Sequence, residues 1–82
     1  MMKMKYVMFD QVFPVIWHGP MNHCDARLVP AISAEPIEPT SAGFVSIVDG
    51  VLKCEGRSET LNMGPAEDDT FLLAKYMGVR SE

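Results

Sequence analysis

The sequence predicts a small α+β domain: an antiparallel sheet of four to five strands with one C-terminal helix packed on one face. Three observations carry that expectation. Residues 4–9 and 12–17 are runs rich in β-branched and aromatic side chains, separated only by Asp10 and Gln11. Asp49-Gly50 stands between two alternating apolar runs, the pattern of a two-residue hairpin. Pro65 precedes Glu67, Asp68 and Asp69, and Gly78 closes the apolar stretch that follows, giving both the start and the stop of a helix.

Taken in chain order, the first two runs read as strand, turn, strand, with Pro14 restricting the second to a sheet edge because proline donates nothing to a ladder. His18, Gly19 and Pro20 then break the chain. A short third strand is expected over 26–29, ended by Pro30. A proline-rich loop is expected over 30–40, where Pro30, Pro36 and Pro39 favour extended backbone. In the hairpin, a turn at Asp49-Gly50 pairs Val48 with Val51, Ile47 with Leu52, Ser46 with Lys53, Val45 with Cys54 and Phe44 with Glu55. Val45, Ile47, Leu52 and Cys54 then share one apolar face, and the other face is mixed and half solvated. The helix is expected over 65–77, with Leu72, Leu73, Tyr76 and Met77 as its buried stripe.

An 82-residue chain that is 48% hydrophobic supports a single domain, 1–82, with a thin core. Seven Lys and Arg against eleven Asp and Glu leave a net charge of −4, which opposes nonspecific nucleic-acid binding and attachment to an anionic membrane. No apolar run approaches the length of a membrane span or a signal peptide, so the expected location is cytoplasmic. Cys24 and Cys54 are then expected to be reduced thiols.

Two groups of residues could carry chemistry. His18, His23 and Cys24, with Cys54, contain zinc-ligand types, but their spacing lacks the paired knuckles of a structural site. No metal or other cofactor is therefore expected. Extending the hairpin ladder past Gly43 and Gly56 sets Ala42 opposite Arg57 and Ser41 opposite Ser58. Thr40, Ser41, Arg57, Ser58 and Thr60 would then form one polar cluster, a guanidinium framed by hydroxyls and suited to a phosphate or carboxylate. The plainer alternative pairs Arg57 with Glu55 or Glu59 on a solvated strand.

Ser41-Ala42-Gly43-Phe44, Gly56-Arg57-Ser58-Glu59-Thr60-Leu61, and Pro65 with Glu67-Asp68, after an opening Lys5-Tyr6-Val7-Met8-Phe9, cover about half the chain. In these pieces the chain resembles small uncharacterised proteins of phages and mobile elements. The resemblance brings no activity and no residue roles. It implies a setting in which small proteins bind and block host factors. The expected function is a non-enzymatic binding protein, a phage-type accessory or inhibitor that binds a host protein or sequesters a small anionic ligand. The alternatives are a small metal-dependent enzyme or hydrolase using the His18, His23 and Cys24 region, and a structural homodimer joined at a strand edge.

Overall fold

The computed structural model describes residues 2–11, 13–23 and 38–82. The strand expected at 26–29 and the loop residues up to 37 lie outside this set. Within it the chain forms β1 (Met2–Phe9), β2 (Phe13–Trp17), β3 (Pro39–Val48), β4 (Val51–Glu55), α1 (Asp69–Met77) and β5 (Arg80–Ser81). The strands make one five-stranded sheet in the order β2-β1-β3-β4-β5. It is a small α+β fold, with α1 packed against β4 and β5.

The two hairpins form where the residues require them. Asp10 and Gln11 carry φ of 53° and 62°, and Asp49 and Gly50 carry 52° and 77°, the left-handed pairs whose twist suits a tight antiparallel turn. β3 and β4 pair in the register that the Asp49-Gly50 turn dictates, from Val48 opposite Val51 to Phe44 opposite Glu55. β3 begins earlier than the sequence implied: Pro39 and Thr40 belong to it and not to a loop. It is thereby long enough to lie along all of β1, with Val7 opposite Ala42 and Lys5 opposite Phe44.

One edge differs from expectation. β5 runs parallel to β4, with Val51 opposite Arg80 and Leu52 opposite Ser81, so the sheet is mixed and not wholly antiparallel. The reason is the crossover: α1 carries the chain back before it re-enters the sheet, and a helical return delivers the next strand in the same direction. The Arg80 and Glu82 amides donate to the Gly50 and Leu52 carbonyls at 3.2 and 3.0 Å.

The helix starts four residues later than the proline suggested. Asp69 N–H donates to the Ala66 carbonyl at 3.1 Å, so the first turn is a tight one that precedes the α-helix proper. At the other end Gly78, at φ 72°, donates to the Lys75 carbonyl and Val79 N–H to the Ala74 carbonyl, the two bonds of a Schellman stop. Leu73 and Ala74 are buried against the sheet, whereas Tyr76 is 68% exposed and leaves the expected stripe. It stands one position, about 100° of helix rotation, from Met77, which does reach the core.

Both faces of β1 are covered, with Tyr6, Val7, Met8 and Phe9 all essentially inaccessible. Tyr6 and Met8 join Val45, Leu52, Leu73 and Ala74 under the helix. Val7 and Phe9 meet Ala42 on the opposite face, where Trp17, Met21, Leu61 and Met63 pack over them. That second face was expected to be half solvated; the 57–63 segment and the chain after β2 close much of it.

Candidate functional site

The five residues grouped from the sequence separate into three places. The ladder between β3 and β4 ends at Phe44 and Glu55, and Gly56, at φ 75°, turns the chain away. Ser58 then pairs with Met63 in an isolated bridge, not with Ser41. The Ala42 amide donates to Gly64 at 3.3 Å instead. The cause is local: a Cβ on Gly56 would stand 2.8 Å from Phe44 Cδ2, so the glycine lets the chain fold tightly over the ring and leave the sheet.

Ser41 and Thr40 face the helix. Ser41 Oγ donates to Asp69 Oδ2 at 2.6 Å, the same oxygen that accepts from Tyr6 Oη at 2.6 Å and Ala66 N–H at 2.9 Å. Asp69 is 2% exposed, and this one carboxylate joins β1, β3 and the start of α1. Thr40 Oγ1 accepts from Gln11 N–H and donates to the Met8 carbonyl. Burial and the hydrogen bond to Asp69 raise the Tyr6 phenol above its ordinary range. Burial also pushes the neighbouring Cys54 thiol up to about 11. These hydrogen bonds join strand to strand and sheet to helix, and Cys54 is a free thiol whose burial disfavours the reactive thiolate.

Ser58 is fully buried and its hydroxyl accepts from Leu61 N–H at 3.2 Å, which shapes the 58–63 turn. Arg57 and Thr60 open elsewhere, into a cavity of about 290 Å³ that they share with Lys5, Asn22, His23, Phe44 and Glu59. Strand alternation supplies the floor: Lys5 on β1 and Phe44 on β3 are cross-strand neighbours and so point to one side of the sheet. Lys5 Nζ donates to the Met21 carbonyl at 3.2 Å, which also accepts from Trp17 Nε1 at 2.8 Å. Arg57 Nη2 donates to Asn62 Oδ1 at 2.7 Å, not to Glu55 or Glu59. Among the described residues the ion pair is Lys53 with Glu82, at 3.5 Å, and no carboxylate pairs with Lys5 or Arg57. Among the described residues the cavity thus presents two cations held by neutral acceptors, Lys5 by the Met21 carbonyl and Arg57 by Asn62.

His23 closes one wall. It is 4% exposed, packed edge-on against Trp17 and Phe44, with Nε2 2.8 Å from the Gly43 carbonyl oxygen. His18 is exposed, and Cys24 lies outside the described residues. Among the described residues no three His, Cys, Asp or Glu side chains gather closely enough to hold a metal ion. Lys5 and His23 were missed as partners of Arg57 because their meeting depends on which strands pair, and no local pattern encodes that choice.

Comparison with protein-family models, with curated proteins and with solved structures gave no match.

Proposed function

We propose that the protein is a non-enzymatic binding module that takes an anionic group into the cavity between Lys5 and Arg57. The observation that carries this reading is that two cations, neither ion-paired with a carboxylate among the described residues, line one cavity, with Glu59 the one described carboxylate beside them. Charge-assisted bonds from a guanidinium and an ammonium to phosphate or carboxylate are the strong ones available to a small polar cavity. The anion is either a small molecule or a group displayed on a host protein, and the resemblance to phage and mobile-element proteins suits an accessory or inhibitor acting in the cytoplasm. No helix among the described residues is long and apolar enough to cross a membrane.

Amide NMR during titration with sodium phosphate, against sodium chloride at matched ionic strength, tests the reading. The expected result is saturable movement centred on Lys5, His23, Phe44 and Arg57. Movement centred on Thr40 and Ser41, or none that saturates, overturns it.

A further inference from the structure

β5 forms the edge of the sheet away from β2, and among the described residues it pairs with β4 alone. The Arg80 and Glu82 amides turn inward to the Gly50 and Leu52 carbonyls, so the Ser81 N–H and C=O between them point outward along the edge. Backbone groups set out in this way are a template for one more strand. The path that such a strand would take is lined by side chains of α1. Phe71, Ala74 and Lys75 recur at three and four positions and so fall on one side of the helix, and with Val79, Arg80 and Ser81 they line a cavity of about 410 Å³ between the helix and β5. Ala74 is its buried floor, and Phe71 stands 61% exposed beside it.

The charges at this edge select the partner. Arg80 stands opposite Val51 and Ser81 opposite Leu52; Leu52 lies in the core under the helix, so Ser81 projects to the helix face and Arg80 to the other. Lys75 and Arg80 therefore flank the edge from the two faces of the sheet. Among the described residues neither forms an ion pair: the nearby Glu82 carboxylate is held by Lys53 at 3.5 Å, and Asp49 in the β3–β4 turn joins no salt bridge. In a chain with a net charge of −4, two such cations beside an open strand complement an acidic segment. The spacing agrees. From Phe71 to Lys75 the helix rises about 6 Å, close to the roughly 6.6 Å between alternate residues of a strand, so alternate side chains of an added strand reach both.

We propose that this edge binds an acidic peptide in extended conformation, which joins β5 as a further strand, its backbone on Ser81, its carboxylates toward Lys75 and Arg80 and an apolar side chain against Phe71. None of these residues lines the Lys5–Arg57 cavity, so the two sites can fail independently. The probe is a capped synthetic peptide, VEEVEEV, followed by amide NMR and amide hydrogen exchange. The expected result is saturable movement at Phe71, Lys75, Arg80 and Ser81, with a Ser81 amide that exchanges readily in the free protein and becomes protected when the peptide is bound. The basic counterpart VKKVKKV should cause no saturable movement. Lys75→Ala and Arg80→Ala, both at exposed positions, should each weaken binding of the acidic peptide about twofold to fivefold, the range of an exposed ion pair. The proposal is overturned by equal binding of the two peptides, by unchanged affinity in both variants, by movement centred on Lys5 and Arg57, or by no saturable movement at all. A Ser81 amide already protected before peptide is added also overturns it, because the edge is then covered by a second copy or by another part of the chain. Ser81 protection in the wild-type protein decides the matter even if a variant fails to fold.

Discussion

Asp69 ties β1, β3 and the start of α1 together, since one of its oxygens accepts from Tyr6, Ser41 and Ala66 at once. Hydrogen bonds to a charged group contribute about 1.5–3 kcal/mol each, and a buried donor left without its acceptor is costly. Asp69→Asn, which turns one acceptor into a donor, is expected to cost about 3 kcal/mol in urea denaturation. Ser41→Ala should cost less and leave phosphate affinity unchanged, because Ser41 faces the helix and not the Arg57 cavity. The Cys54 thiol gives a pH signature. Its folded value, raised by burial from 9.0 to about 11, means that the folded state holds this proton more tightly than the unfolded chain. Its contribution is complete below pH 9 and is lost as pH rises toward 11, with Tyr6 acting in the same direction. Stability is therefore expected to fall above pH 9, and thiol labelling of the native protein in a Cys24→Ser background should stay slow at pH 8 and accelerate only beyond 9.

At the level of elements, what is legible in the sequence is what short segments decide for themselves. Asp49-Gly50 sets the β3–β4 register residue by residue, and Gly78 sets the helix stop, because each acts through backbone angles within a few positions. The ladder cannot be extended by the same logic past Gly56. There a positive φ and the Phe44 ring redirect the chain, and this dispersed the grouping of Arg57 with Ser41 and Ser58. Gly56→Ala tests that account: left-handed backbone costs a side chain about 1–2 kcal/mol, and the ring contact adds to it. The expected outcome is a loss of about 2 kcal/mol or more in stability together with weakened phosphate binding, since the turn that carries Arg57 must shift. Gly50→Ala, with nothing within 4 Å of the added carbon, should cost less and leave binding intact.

The whole molecule adds the information that local patterns lack. Pairing of β1 with β3 brings Lys5 beside Phe44, and the covering segments then place His23 and Arg57 around them; only the choice of strand neighbours produces that meeting. Among the described residues the same topology leaves β2 with β1 as its one strand neighbour, with Phe13 51% exposed, and the core of an 82-residue chain is thin. A homodimer joined at β2 is the expected assembly, read by light scattering as twice the 9.1 kDa chain mass at tens of micromolar; a monomeric mass there contradicts it. The central claim, that Lys5 and Arg57 grip one anion, is tested most directly by a double-mutant cycle in calorimetry with sulfate, using Lys5→Gln, Arg57→Ala and the pair. Each single change is expected to weaken binding about tenfold or more, a loss of about 1.5–3 kcal/mol, and the double variant to lose less than the sum because both side chains hold the same ligand. Unchanged affinity in either single variant, with the fold intact, would contradict the account.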